Sequence, residues 1–252
     1  MRRMEQIARV RAAEVRRCLG VSVSEPVDVI KLLRECFDIS FILRPFASDI
    51  SGMFVRADKA EVIAVNTVRS LGHQRFTAAH EYFHVRYDVG MLGAACRVGV
   101  VDQPIEREAE ADAFAANFLM PAEGIAARVL ARTEGERGLA VEDVVHLEQH
   151  FGVSHKAMVR RLRDLGYLRT NEFEQMWSLP IRQTARTLGH DTSLYSPTRE
   201  DRIISSYAEK AKTALDLDLI SFGKYEQLML EAGFADLLFE PDLTEEDARA
   251  DP

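Results

Sequence analysis

His-Glu-Tyr-Phe-His, at residues 80–84, fits the pattern HExxH. Residues four apart lie on one face of an α-helix, so His80 and His84 can turn both imidazoles towards one metal ion. Glu81 then lies beside that ion, where it can take a proton from bound water. The flanking residues are mostly apolar, which indicates a buried helix over about residues 74–87. The stretch therefore predicts a helical zinc-hydrolase core.

The composition limits the class of protein. The chain has 252 residues, of which 47% are hydrophobic and 29% charged, as is typical of a globular protein with one or two domains. A formal net charge of −8 disfavours nucleic-acid binding through net charge. The three cysteines show no CxxC spacing, the first residues lack a signal-peptide core, and no apolar run reaches the ~18 residues of a membrane span. We expect a reduced, cytoplasmic protein without a membrane segment.

A second acidic segment offers the third ligand that a catalytic zinc usually has. Glu108, Ala111, Asp112 and Ala115 share one face of a helix predicted at 104–119. Small alanines on that face would let this helix press against the HExxH helix. Glu108 would then reach the metal, and Asp112, one turn on, could hydrogen-bond a ligand histidine.

Other acids in the same segment leave alternatives open. Glu110 lies about 160° from Glu108 around the helix and is the reserve ligand, while Glu106 is the weakest candidate. These acids could also do no more than stabilise the helix N-terminus, by ~0.3–1 kcal/mol each. Their position about 24 residues after an HExxH motif favours the ligand interpretation.

The order of the remaining patterns predicts an α+β fold that is mostly helical, with a small antiparallel sheet packed on an HExxH zincin-like core. Strands are predicted at 39–43 and in a hairpin of 52–56 with 62–66. Residues 90–103 are rich in glycine and small residues and indicate a loop over the site, and residues 170–198 read as irregular or weakly helical. Further helices are predicted at 3–18, 24–36, 122–132, 140–150, 154–165, 199–216 and 221–233.

A helix-turn-helix rhythm runs through residues 144–162, where Gly152 permits a tight turn and Ser154 can cap the next helix. Between residues 148 and 169, five bases stand against two acids, a net charge of +3 that could meet phosphates. Glu148, however, occupies a position where a small residue normally lets the two helices approach. We therefore favour a packing or substrate-docking role for this element over direct DNA binding.

Several ordered stretches together resemble the ImmA/IrrE-type metallopeptidase family. They cover roughly residues 24–168 and comprise SGMFV at 51–55, IAVN at 63–66, RFTAAHE at 75–81, EAEADAFA at 108–115 and FLMP at 118–121. The resemblance implies zinc held by His80, His84 and Glu108, with Glu81 as the general base. Two departures stand out, since Phe83 replaces a usual glycine or small residue and Asp112 replaces a common asparagine. Phe83 is expected to narrow the space beneath the site.

The resemblance also implies a function. Members of this family typically cleave a helix-turn-helix transcriptional repressor and so derepress mobile-element or stress-response genes. We expect such a repressor as the partner and substrate. The alternative is a zinc-bearing regulator that binds a repressor, toxin or DNA without cutting it.

Within a protease interpretation, the strand at 62–66 could offer its edge to an extended substrate. Tyr82, Tyr87 and His73 are the candidates for stabilising an oxyanion.

We divide the chain into four parts. Residues 1–135 form the predicted zincin-like metallopeptidase domain, and 136–169 the helix-turn-helix-like element. Residues 170–240 form a helical C-terminal region whose role the sequence does not reveal. Residues 241–252 form an acidic tail, predicted to be disordered because acids dominate it.

Overall fold

The computed structural model describes residues 2–47, 49–57, 60–97, 105–234 and 238, and the predicted acidic tail at 241–252 lies outside them. The chain divides into two compact units, Met1–Ile204 and Ser205–Pro252. The first unit thus includes the helix-turn-helix-like element predicted at 136–169 together with residues 1–135. No helix in the described part of the chain is both long and apolar enough to cross a membrane.

The helices follow the predicted order closely. Those of the first unit are α1 Arg2–Cys18, α2 Val29–Phe37, α3 Leu71–Tyr87, α4 Ile105–Leu119, α5 Ala122–Thr133, α6 Val141–Phe151, α7 His155–Asp164, α8 Thr170–Trp177 and α9 Ile181–Thr187, with a 3₁₀ turn at Ser193–Tyr195. The second unit contains α10 Tyr207–Asp216 and α11 Phe222–Glu231. The α+β, mostly helical class is confirmed. Helix α2 begins later than predicted because the Asp28 carboxylate caps it by accepting from the Lys31 amide at 3.4 Å.

Five strands form one sheet in the order β4-β2-β3-β1-β5. Their bounds are β1 Ser40–Arg44, β2 Ile50–Ala57, β3 Ala60–Asn66, β4 Gly93–Arg97 and β5 Arg202–Ile204. The predicted hairpin is confirmed as the antiparallel pair β2–β3. The sheet is mixed rather than wholly antiparallel, because β1 pairs in parallel with β3. Strands β1 and β2 do not pair with each other, because β3 lies between them and pairs with both.

Three local predictions were wrong. Residues 93–97 of the loop predicted at 90–103 form β4, and residues 98–103 of that prediction lie outside the described part of the chain. The small residues of β4 allow close pairing: a Cβ at Gly93 would lie 2.8 Å from the Phe54 carbonyl oxygen. The helix predicted at 199–216 begins only at Tyr207, since residues 202–204 pair with β1 as β5. The strand at 62–66 is not an edge, because β3 lies between β2 and β1. Residues 170–198 are also more helical than expected, with α8 and α9.

Helix α3 lies directly on β2 because a glycine removes the intervening side chain. A Cβ at Gly52 would come within 2.4 Å of Thr77 Cγ2 and 3.2 Å of Glu81 Cγ. Side chains alternate along a strand, so Phe54 and Arg56 face the same way as Gly52. Phe54 stacks on the His84 ring at 5.9 Å, and the Arg56 guanidinium donates to carbonyls at and just beyond the end of α3. Strand β2 thereby sets how closely the HExxH helix approaches the sheet and holds the C-terminal end of that helix.

The predicted turn of the helix-turn-helix-like element is confirmed. Gly152 adopts φ 66°, and the Ser154 hydroxyl caps α7 by accepting from the Ala157 amide. A Cβ at Gly72 would lie 2.4 Å from the Ser154 amide nitrogen, so the first turn of α3 packs against this turn. The element is therefore anchored to the same helix that carries the HExxH motif.

Candidate metal centre

Two helices bring three potential ligands together. Both histidines of the motif are buried on α3, and their Nε2 atoms lie 3.1 Å apart. Glu108, from α4, places Oε2 3.2 Å from His80 Nε2 and Oε1 3.4 Å from His84 Nε2. One ligand atom from each residue lies within 4.8 Å of the other two. The structure thus gathers the three residues that the sequence predicts as ligands.

Each histidine has a carboxylate at its other ring nitrogen. His80 Nδ1 lies 3.0 Å from Asp112 Oδ1, and His84 Nδ1 lies 2.7 Å from Asp88 Oδ2. A carboxylate at Nδ1 holds the proton there and leaves the Nε2 lone pair for a metal. Asp112 lies where the helix spacing predicts it. Asp88 was missed, although its position four residues after His84 was a usable signal.

The alternative glutamates point elsewhere. The Glu110 carboxylate accepts from Arg11 Nη1 at 2.5 Å and from Arg107 Nη1 at 2.7 Å. Glu106 is exposed at the start of α4. Of the three candidates, Glu108 is the one that faces the histidines, as the alanine-lined face of α4 predicts.

Glu81 lies against the sheet beside this cluster and is 1% exposed. Burial raises its pKa to about 8, which the neighbouring His80 partly offsets. Its Oε1 atom has no hydrogen-bond partner in the described part of the chain. A buried carboxylate oxygen without a partner is costly, so it indicates a group that is completed by a ligand or water.

The charge state of the cluster also suits a cation. Burial, together with the charge of the neighbouring His80, lowers the pKa of His84 to about 4. A hydrogen bond with His80 lowers the pKa of Glu108. At neutral pH, His84 is therefore uncharged and Glu108 anionic, the forms in which these groups bind metal. Two imidazoles and one carboxylate match the His₂Glu set of catalytic zinc sites, so the residues present fit zinc.

Phe83, the departure inside the motif, lies in the interface between α3 and α4. Its buried ring packs on Phe114 at 5.6 Å and on Tyr87 at 5.1 Å, and meets the His84 ring edge-on at 5.6 Å. The ring therefore supports one side of His84 from the helix interface.

The three oxyanion candidates differ in their surroundings. Tyr82 packs between Phe37 and Phe114, and Tyr87 lies beneath the Arg11 guanidinium, so both rings belong to the helix interfaces. His73 lies at seven residues before His80, on the same side of α3, with Nε2 3.1 Å from Ser51 Oγ. Burial and the charge of Arg69 lower the pKa of His73 to about 4, while the charge of the nearby Asp112 partly opposes this shift. His73 is the candidate among the three that borders the metal cluster.

The unexpected Glu148 forms a buried polar cluster in the helix-turn-helix-like element. One carboxylate oxygen lies 2.6 Å from His155 Nδ1, and the other accepts from the Tyr195 hydroxyl at 2.8 Å. His155 Nε2 in turn donates to the Met176 carbonyl at 2.7 Å. Glu148 thus replaces close helix packing with hydrogen bonds that join α6, α7 and the following segments.

The basic residues of α7 contact neighbouring helices. Lys156 and Arg160 lie 5.2 and 5.8 Å from the centre of the Trp177 ring. Arg163 lies 4.6 Å from the Phe173 ring centre, and Arg161 donates to the Asn117 side chain and the Met120 carbonyl. Four of the five bases that could meet phosphates therefore have partners within the chain.

A family model describes the same segment. The IrrE N-terminal-like domain of peptidase family M78 matches residues 34–163, which are 130 of 252 residues and include both histidines, Glu81 and Glu108. The chain belongs to this family. The resemblance to ImmA/IrrE-type metallopeptidases is thereby confirmed for this M78 protein, whose helix α1 and residues beyond 163 lie outside the match. No curated protein matches the chain.

Proposed function

We propose that this M78-family protein is a zinc-dependent endopeptidase, with His80, His84 and Glu108 as metal ligands and Glu81 as general base. The observation that carries the proposal is the convergence of the three ligand groups beside a buried carboxylate oxygen that has no described partner. Membership of a metallopeptidase family supports the same reaction class.

Zinc would supply a Lewis acid that polarises the scissile carbonyl and lowers the pKa of water to about 7. The buried Glu81 would be kept anionic by the charge of zinc, which lowers its raised pKa, so that Glu81 would accept the proton of the attacking water and return it to the leaving amine. Asp88 and Asp112 hold the two imidazoles in the tautomer and orientation that ligation needs. Gly52, which lets α3 lie close to β2, keeps the Glu81 carboxylate in the dry space between helix and sheet.

We place the substrate along β4 instead of β3. Strand β4 pairs with β2 on one side, and no strand in the described part of the chain pairs with its other edge. An extended peptide can add to such an edge through main-chain hydrogen bonds. Strand β2 lies beneath α3, which carries the two histidines. A peptide added to β4 would therefore be separated from β2 by one strand, β4 itself.

We propose a helix-turn-helix transcriptional repressor as the substrate, cleaved in the cytoplasm to derepress mobile-element or stress-response genes. This part of the proposal rests on the resemblance to the family. The partners that the α7 bases have within the chain support a packing or substrate-docking role for α6 and α7 over DNA binding.

The test mixes the protein with the helix-turn-helix repressor encoded beside its gene, with and without chelator. We expect a defined cut that chelator abolishes and zinc restores. The variant E81Q should bind zinc and leave the repressor whole, while the exposed control E106Q should cleave normally. An intact repressor after full zinc loading of the wild type would contradict the proposal and favour a zinc-bearing regulator that binds without cutting.

A further inference from the structure

A continuous line of charged contacts runs from His84 to the N-terminal helix. Asp88 Oδ2 lies 2.7 Å from His84 Nδ1, and Asp88 Oδ1 accepts from Arg107 Nη2. The other terminal nitrogen of this guanidinium, Arg107 Nη1, donates to Glu110 Oε2 at 2.7 Å, and Glu110 Oε1 accepts from Arg11 Nη1 at 2.5 Å. Arg11 belongs to α1, which lies outside the segment that the family model matches.

The surroundings make each link depend on the next. The residues Asp88 and Glu110 are nearly buried, at 7% and 9% exposure, so each carboxylate needs a cationic partner to offset the loss of water. Arg107 is shared between the two carboxylates and also donates to the Tyr87 carbonyl at 3.1 Å. Glu110 has Arg11 as its second cation.

Phe83 fits the same arrangement. The Arg107 guanidinium lies 5.0 Å from the centre of the Phe83 ring. The Arg11 guanidinium lies 5.7 Å from the centre of the Phe83 ring and 4.3 Å from the centre of the Tyr87 ring. Aromatic faces attract guanidinium groups, and more strongly when water is excluded. The residue that departs from the family pattern therefore provides a surface on which both cations rest.

We propose that α1 is part of the metal centre in this protein, and that Arg11 is a positioning residue for His84. Arg11 holds the Glu110 carboxylate in place, and Glu110 in turn holds Arg107 beside Asp88. Without Arg11, Glu110 would be held less firmly and would no longer fix Arg107 against Asp88. Asp88 would then hold the His84 imidazole less firmly, and zinc would bind more weakly. The inference rests on the zinc site of the proposed function and extends it to α1, a helix that carries none of the three proposed ligands.

Zinc dissociation constants, measured by competition with a chromophoric chelator well below the unfolding temperature, test this directly. Loss of a group that supports a metal ligand typically costs about 10- to 100-fold in affinity, so we expect that loss for R107M. R11M should weaken zinc binding about fivefold, the lower range of coupling between distant sites. The matched control is R9M, because Arg9 lies on the same helix and pairs with the exposed Glu123 instead.

A double-mutant cycle tests the route. In a D88N background the line of charged contacts from Arg11 to His84 is already broken, so adding R11M should cause no further loss of zinc affinity. An undiminished effect of R11M in that background would overturn the proposed route. Thermal unfolding of the chelator-treated variants separates positioning from stability, since a merely structural role would lower the unfolding temperature and leave the zinc Kd unchanged.

If R11M fails to fold, E110Q tests the same link with a side chain of equal size, and we again expect about a fivefold loss. Wild-type zinc affinity in R11M or E110Q, with the protein folded, overturns the inference while leaving the zinc site intact. Failure of the wild type itself to bind zinc would overturn the metal site of the proposed function.

Discussion

Two regions of this molecule bury a histidine against a carboxylate, and they use the pair differently. In the metal centre, His84 contacts Asp88 through Nδ1 and turns Nε2 towards His80 and Glu108. In the helix-turn-helix-like element, His155 binds Glu148 through Nδ1 and the Met176 carbonyl through Nε2. A buried histidine is thus a candidate ligand where its second nitrogen meets other ligand groups, and a structural residue where a carbonyl takes that nitrogen.

The buried glutamates repeat the contrast. Burial raises the pKa of both Glu81 and Glu148. Both oxygens of Glu148 have hydrogen-bond partners, whereas Oε1 of Glu81 has none in the described part of the chain. A raised pKa alone therefore does not distinguish them, and the hydrogen-bond partners do. We expect changes at Glu81 to affect chemistry and changes at Glu148 to affect stability.

The variant E81Q should give the largest effect. Removing a general base costs about 10²- to 10⁴-fold in rate, so kcat/KM for repressor cleavage should fall by that factor. Zinc content, measured by metal analysis, should remain at the wild-type level because Glu81 is not a ligand. Full cleavage by zinc-loaded E81Q would show that the buried glutamate in the metal centre is as structural as Glu148.

A matched pair on α4 tests the ligand assignment. E108Q removes the anionic ligand and should weaken zinc binding by more than about 100-fold, beyond the range expected for supporting residues. E110Q alters a group that faces Arg11 and Arg107 and should weaken it about fivefold. Chelator competition measures both constants, and the reverse order of effects would make Glu110 the ligand.

The sequence predicts the helix pair of the metal centre because its signals are local. Histidine spacing places two ligands on one face, and the alanines at 111 and 115 identify the side of α4 that approaches, which separates Glu108 from Glu110. The β2–β3 hairpin follows from alternating apolar residues in the same way.

Features that depend on distant partners were missed. The segment of β4 contains Gly93 and two alanines, so it has little strand propensity, and only its pairing with β2 makes it a strand. Strand β5 has three residues and depends on β1. The line of charged contacts from Asp88 to Arg11 joins residues 77 positions apart. Arg107 and Glu110 can be recognised as its connecting residues only once α1 is packed against α4.

For the structural member of the comparison, E148Q should lower the free energy of unfolding. The substitution leaves the buried His155 and Tyr195 with a neutral and less suitable partner, which costs about 1–3 kcal/mol. Urea unfolding measures the loss. Zinc affinity and kcat/KM should stay at wild-type values below the unfolding transition, and a folded, stable E148Q without cleavage would instead make this cluster functional.

The same cluster predicts a pH dependence of stability. Burial raises the pKa of Glu148 above its usual value of 4.5. For His155, burial lowers the pKa, but the hydrogen bond and the charge of Glu148 raise it by more, so the net shift is upward from 6.5. The folded state therefore binds more protons than the unfolded state, and stability falls as pH rises from 4.5 through the folded-state pKa of His155. Urea unfolding at a series of pH values should show a smaller slope for E148Q, and equal slopes would exclude the pair as the source.

The smallest effect is expected where the helix-turn-helix-like element meets solvent. Arg160 is exposed and rests on the Trp177 ring, a contact worth about 0.5–1 kcal/mol, so R160Q should reduce stability by no more than that. If α7 instead bound DNA, the wild type would shift a duplex in a salt-dependent manner and R160Q would weaken that shift. We expect neither, because the bases of α7 contact α8 and α4. Gel-shift titration and urea unfolding, both carried out on the wild type and on R160Q, decide whether this surface stabilises the fold or binds nucleic acid.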